Sequence, residues 1–456
     1  MLLKLVKWLV ALVLLAVVLV GLWLTVSPPG IIRVASGYSA KMVCSNVFIA
    51  GRDADKVLAD DVQAPGHWLL KYIRLNVDND SKTVKAALLG LFGGGMAVAR
   101  DGLGCSSVPD GNAAAVAKAS LPELGPAPPA DQLWPQGNMV QPSQDPAVSA
   151  ILDDPAMTGP SMRAVVVVKN GRIVAERYGE GFSDATPLLG WSMTKTVNAA
   201  IVGTAIKAGK MSLDGKGLVE GWNGDGRKDI SLADMMAMSP GLEFNEDYGD
   251  VTDVTRMLYL EPDMAGFTAS KPLAGEIGKV FNYSSGTSTL LSRLWQGAVG
   301  EAEALAWPST KLFQPLGMTS AVMEQDENGT YVGSSYMYAT ARDWARFGQF
   351  LLQDGVWNGT EIVPAGFVPW MHEAAPASKG QYGRGQVWLS GPGDDTAAQT
   401  HANGIPADSY WALGHDGQSI VVIPSAQMVV VRLGLTPSKL NYRPQVMIGK
   451  LVAALP

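Results

Sequence analysis

The placing of the strand-like segments constrains this chain most. The stretch MRAVVVVKNGRIVAERYG, residues 162–179, holds two runs of β-branched residues joined by Asn170-Gly171, a dipeptide that favours a two-residue hairpin turn. Near the C-terminus, SYWALGHDGQSIVVIPSAQMVVVRLGL (409–435) supplies three more runs, broken at Asp416-Gly417 and at Pro424-Ser425. Most of the chain between them has helical patterning, as in ISLADMMAMSPGL and ARDWARFGQFLLQDG. The late strands must pair with the early hairpin. That predicts an α/β (α+β) domain whose antiparallel sheet is closed by sequence-distant halves and flanked by helices.

The chain ahead of this domain has a different texture. In MLLKLVKWLVALVLLAVVLVGLWLTVSPPG, Lys4 and Lys7 precede an uncharged run from Trp8 to Val26. The run is long enough to cross a bilayer as a helix, and longer than a usual signal-peptide core. Residues 1–27 therefore read as an uncleaved transmembrane signal anchor at the inner (cytoplasmic) membrane. The N-terminus would be cytoplasmic and the rest would lie in the periplasm or outside the cell; a cleaved signal peptide is the alternative. Residues 28–120 form a small extension, in which AALLGLFGGGMAVA (86–99) is too short and glycine-rich for a second span and reads as strands or a buried connection. Residues 121–146 are a Pro-rich linker or surface-hugging segment, and 147–456 form the main domain.

The two cysteines, Cys44 and Cys105, both follow the apolar run. In an oxidising compartment one disulfide is their simplest arrangement, two buried free thiols the alternative. A net charge of −7 without a Lys/Arg-rich run argues against polyanion binding, so no nucleic-acid partner is expected. The four histidines are scattered and His372-Glu373 does not begin an H-E-x-x-H, so neither a metal nor a cofactor is expected.

GWSMTKTVNAAIVGTAIKAGK (190–210) carries the chemistry. Val197, Ala200, Ile201, Thr204 and Ala205 form the stripe of a packed helix, with Gly209 a plausible stop. Ser192 then lies in the first turn, where free backbone N–H groups and the helix dipole favour negative charge. Lys195 lies one turn along on the same face and, if neutral, can take the serine proton. A serine cap followed by a solvated lysine is the plain alternative.

GWSMTKTV resembles the S-x-x-K helix of the β-lactamase/penicillin-binding-protein superfamily of class C type. Four further segments resemble that family in order: ISLADMMAMSPGLEF, FNYSSGTSTLL (281–291), LFQPLGMTS (312–320) and YMYATARDWARFGQFLLQDG, with GHDGQSI (414–420) in the place of the lysine–threonine–glycine strand. The resemblance covers roughly residues 145–456 and is nearest the 6-aminohexanoate-dimer hydrolase group of amidases and esterases, whose exported relatives also carry an extension with two cysteines. It implies a β-lactamase/transpeptidase-like sheet with a mostly helical subdomain. It implies Ser192 as the acylated nucleophile, Lys195 as base, Tyr283 as the second proton-transfer group, and the backbone N–H groups of Ser192 and Gln418 as oxyanion hole.

Ser285 and His415 replace the family's usual Asn and Lys, so efficient β-lactam hydrolysis is not expected. Lowering a tyrosine from about 10 to about 7 needs roughly 4 kcal/mol, about what one cation at about 4 Å supplies. If Lys195 is that cation it cannot also be the free base, and burial alone lowers a lysine. The two are therefore read as one coupled pair with Lys195 the first acceptor. A Ser192-His415-Asp416 triad is not expected, because adjacent strand residues point to opposite faces. The substrate is read as a small-molecule amide or ester, with Ser285, His415, Gly417, Tyr382 and Trp411 as residues that bind it and Trp388 and 391–409 as further cleft candidates. A cell-wall DD-peptidase-like or β-lactamase activity, and a non-catalytic penicillin-binding-like protein, are the other readings.

Overall fold

The computed structural model describes residues 1–116, 121, 126 and 128–456, which fold as two compact units. The first contains Met1–Arg100, the segment from Cys105, and Asp247–Pro262. It begins with helix α1 (Leu2–Val26), none of whose residues is buried and whose most apolar window has a mean hydropathy of 3.0. At about 1.5 Å per residue such a helix is long enough to cross a bilayer. Pro28 and Pro29 end it, and α2 (Gly30–Phe48) follows with most of its length buried.

Helix α2 packs on a four-stranded sheet of β1 (Ile73–Asp78), β2 (Thr83–Leu88), β3 (Phe92–Arg100) and β4 (Gly104–Ser107), in that order. The stretch 86–99 is therefore a strand–turn–strand, and its glycines serve close packing. A Cβ on Gly95 would lie 2.4 Å from the backbone nitrogen of Gly37. Cys44 in α2 and Cys105 in β4 are joined as a disulfide, with their Cα atoms 6.1 Å apart. The helix Asp253–Leu260, which the sequence reading placed in the main domain, packs on α2 instead, where Tyr38 meets Tyr259 edge-on at 5.7 Å.

The second unit holds the remaining elements. Strands β5 (Met162–Lys169) and β6 (Arg172–Tyr178) form the expected hairpin, with Asn170 and Gly171 both at positive φ as a primed turn requires. The late strands β7 (Tyr410–Gly414), β8 (Gln418–Ile423) and β9 (Met428–Gly434) complete an antiparallel sheet of order β7-β8-β9-β5-β6, with Val167 opposite Val430. Both faces of this sheet are covered. Helices α3 (Met193–Lys207) and α5 (Ala341–Leu352) contribute to the larger core, which takes Val166, Val168, Val429 and Val431. Helix α6 (Gln445–Ala454) and the helix Pro146–Asp153 cover the other face, on Val165, Val167, Val421 and Val430. Two-sided burial explains the unbroken Val165–Val168 run. Helix α4 (Ser285–Val299) belongs to the helical part and packs on α3.

Of the Pro-rich stretch, residues 122–125 and 127 lie outside the described residues. The following part is pinned to the second unit. Trp134 is buried, and the Arg346 guanidinium donates to the carbonyls of Pro135 (3.1 Å) and Gly137 (2.7 Å).

Candidate active site

The site begins at the mouth of α3. Trp191 has φ +48°, a left-handed conformation unusual for a bulky residue, and it turns the chain into the helix at Ser192. Ser192 occupies the cap position, but its side chain makes no capping bond. Its hydroxyl is instead 3.1 Å from Lys195 Nζ, with the Tyr283 phenol close by. The cap-only alternative therefore fails. Among the described residues, no backbone carbonyl accepts the Ser192 N–H.

Lys195 is only 1% exposed. Its Nζ reaches three oxygens: Ser192 Oγ, Ser285 Oγ at 3.0 Å and the Ser334 carbonyl at 2.9 Å. These satisfy all three protons of an ammonium. A neutral amine has two protons for Ser285 and Ser334 and one lone pair for the Ser192 O–H. Burial favours the neutral form and brings Lys195 down to about 8, with the nearby Glu246 carboxylate pulling the other way.

Tyr283 behaves in the opposite sense. Burial raises it well above the ordinary tyrosine value, against smaller lowering effects of its bonds to Ser192 and Trp388. Its ring lies 4.8 Å from Lys195 Nζ, 5.2 Å from the Trp388 ring and edge-on to Tyr382 at 5.8 Å. The expected coupled pair is thus split by its surroundings. The lysine gives up its proton more readily than an exposed one would, and the tyrosine holds its own more tightly.

Glu246 was not singled out in the sequence. Its two carboxylate oxygens receive the Ser285 backbone N–H at 2.7 Å and the Ser285 hydroxyl. Ser285, expected to contact substrate, is fully buried and bridges Lys195 and Glu246. Its position at the first residue of α4, behind the cap Ser284, aims its N–H at that carboxylate.

The opposite wall is the turn between β7 and β8. A Cβ on Gly414 would lie 2.2 Å from the Gly190 carbonyl, and this close approach places the turn beside Ser192. Residues His415–Gly417 form a 3-10 turn with Asp416 at φ +57°, rather than the expected strand. Asp416 does not face away from His415 as an adjacent strand residue would, since Asp416 Oδ1 is 3.4 Å from His415 Nε2. His415 is half exposed and stands edge-on to Trp191 at 5.7 Å. The hydroxyl of Ser192 nevertheless pairs with Lys195. The Gln418 side chain is bound to Gly434 N (2.8 Å) and O (2.5 Å) and to the His415 carbonyl (3.0 Å), which locks the turn to β9. Gly417, at φ +83°, accepts from Arg432 Nη1 at 3.0 Å.

Two more residues expected to contact substrate are buried. Trp411 is 0% exposed and belongs to the core on the far sheet face, with Ile423 and Met447. Alternation along β7 sends it there. Tyr382 is buried between Phe281, Tyr283 and Trp388, so it backs Tyr283. Trp388 remains partly exposed beside Tyr283. In 391–409, Thr400 is buried and bonded to Gly391 N (2.7 Å) and Asp394 (2.8 Å). Among the described residues no group of three His, Cys, Asp or Glu side chains could hold a metal ion.

An antiparallel sheet flanked by helices, with serine and lysine one helical turn apart and a tyrosine closing on both, defines a serine hydrolase of the β-lactamase type. The chain belongs to the beta-lactamase family, whose model matches residues 154–439. It is 24% identical over 291 residues to a 6-aminohexanoate-dimer hydrolase of Paenarthrobacter ureafaciens, covering 60% of this chain and 72% of that one. The fold is that of a family VIII carboxylesterase (TM-score 0.53, 15% identity, 70% of this chain and 98% of the other). It is also that of a penicillin-binding protein from Bacillus halodurans (TM-score 0.51, 16% identity, 67% and 99%).

Proposed function

We propose that this protein cleaves a small-molecule amide or ester through an acyl-enzyme on Ser192. The observation that carries the reading is the Ser192 hydroxyl, released from capping and held 3.1 Å from a buried lysine. Neutral Lys195 takes the serine proton as Oγ attacks the substrate carbonyl carbon. The oxyanion forms at the backbone N–H of Ser192, at the first turn of α3. Collapse of the tetrahedral species expels the amine or alcohol, which takes a proton from Tyr283, and Lys195 returns a proton to Tyr283. Water then attacks the acyl-enzyme, with the same groups running in reverse, and releases the carboxylic acid. The name of the Paenarthrobacter relative favours amides among the substrates.

The apolar helix α1, exposed along its whole length, supports an anchored enzyme with its hydrolase unit on the exported side. The test is intact-mass analysis after a fluorophosphonate probe. One adduct is expected on the protein and none on Ser192→Ala; no adduct on the former, or equal adducts on both, overturns the assignment.

A further inference from the structure

Outside α1, large apolar side chains are strongly exposed together in one place in the first unit. Trp68 is 64%, Tyr72 48%, Leu89 55% and Leu91 75% exposed. They are neighbours. The Trp68 and Tyr72 rings meet edge-on at 6.2 Å, and the Leu89 N–H donates to the Tyr72 carbonyl at 2.8 Å. Leu89–Leu91 is the tight turn between β2 and β3, with the Leu91 N–H on the Leu88 carbonyl at 3.0 Å. Lys71 and Arg74 are exposed on the same short stretch.

This tip lies beside the end of the apolar helix. Gly93, two residues past Leu91, packs against Pro28 and Ile32; a Cβ there would come within 3.3 Å of Pro28 Cβ. Pro28 is two residues past the last residue of α1, and two residues of chain keep Leu91 within roughly 7 Å of Gly93. Trp23, in the last turn of α1, is exposed there too. Tryptophan and tyrosine with flanking lysine and arginine are the side chains that settle at the headgroup level of a bilayer, where an apolar body and a polar tip are both satisfied.

We propose that the patch formed by Trp68, Tyr72, Leu89 and Leu91 docks on the surface of the bilayer that α1 crosses. The proposal rests on the reading of α1 as a membrane span, and it makes the first unit a foot seated in the headgroup layer rather than a free tether. It commits to lipid as the occupant because the patch is continuous with the end of α1. The Leu89–Leu91 turn supplies apolar tips without backbone donors left over, since the N–H groups of Leu89, Gly90 and Leu91 are all bonded within the sheet.

The test uses the full chain in anionic lipid vesicles, with one added cysteine per variant carrying an environment-sensitive fluorophore. The positions are Leu91→Cys in the patch, Leu14→Cys in the middle of α1, and Leu440→Cys, an exposed site in the second unit, as reference. Non-reducing mass analysis first confirms that the Cys44–Cys105 pair is retained. Lipids carrying a spin-label quencher near the headgroup should dim the Leu91 label about twofold, consistent with insertion to about 5–10 Å, and leave the Leu440 label unchanged. A quencher deep in the acyl chains should act on the Leu14 label. If the Leu14 label is quenched and the Leu91 label is not, the docking patch is refuted while the span stands. A blue-shifted Leu91 label that lipid quenchers do not touch also refutes it and points to a protein contact. If the Leu14 label is not quenched, the span itself fails and the patch proposal falls with it.

Discussion

Replacing Glu246 with glutamine should move the pH dependence of catalysis toward acid, and the geometry sets how far. The carboxylate reaches Lys195 through Ser285, which accepts from Lys195 Nζ at 3.0 Å and donates to Glu246. Two successive hydrogen bonds put the charges roughly 5 Å apart, worth about 3 kcal/mol at an effective dielectric of about 20, or about two pH units. Burial lowers Lys195 to about 8 and Glu246 raises it. With Glu246 neutralised the lysine should fall by one to two units, to between about 6 and 7. At pH 7 a lysine at about 8 is roughly one-tenth neutral, so the variant should reach a several-fold larger share of its own plateau rate there. Glutamine keeps a carbonyl oxygen for one of the two Ser285 bonds, which limits loss of position. The assay is kcat/KM on a p-nitrophenyl ester across the ascending limb, corrected for spontaneous hydrolysis, with the rate of fluorophosphonate labelling as a second reading. A limb that stays put, or shifts toward alkali, refutes the assignment of Lys195 as the base under Glu246's control.

Tyr283→Phe should retain fluorophosphonate labelling, since the probe's fluoride leaves without a proton, while amide turnover falls about 10²–10⁴-fold; equal losses on both would contradict a leaving-group role. Trp411→Ala should cost about 3–5 kcal/mol by urea unfolding, with KM unchanged in the folded enzyme, because the ring fills the core and touches no substrate. Cys44→Ser opens a disulfide that spans a separation of 61 residues and should cost the first unit about 4 kcal/mol on the chain-entropy estimate. Proteolysis of the first unit well below the melting of the second would register that loss.

Much of the candidate site was legible in the sequence. Ser192 and Lys195 are local: the helical repeat alone puts them on one face, and the ordered segments resembling the family carried Tyr283 with them. The Asn170-Gly171 hairpin and the strands after residue 409 were equally legible, because alternation and turn chemistry act over a few residues. Other features depend on chain segments that meet only in the folded state. Glu246 stands in LEFNEDYG as one acid among several, and nothing local marks it as the partner of Ser285. Asp416 looked like a strand residue, yet its left-handed turn is held by Gln418, Arg432 and Thr436, whose bonds reach across β9.

What the sequence by itself determined is the set of reactive groups and their near neighbours: a serine and lysine one turn apart, an apolar helix at one end, two cysteines after it and strands that had to find each other. The tertiary structure alone decided their electrical state. Lys195 loses its proton more easily because burial removes water from its charge, Tyr283 holds its proton more tightly for the same reason, and Glu246 adjusts the lysine from a loop that lies 51 residues away in the chain. Periodicity records which face of an element is buried, but not which distant carboxylate arrives beside it. That is settled only when α3, α4 and the loop before Asp247 pack together and water is excluded from among them.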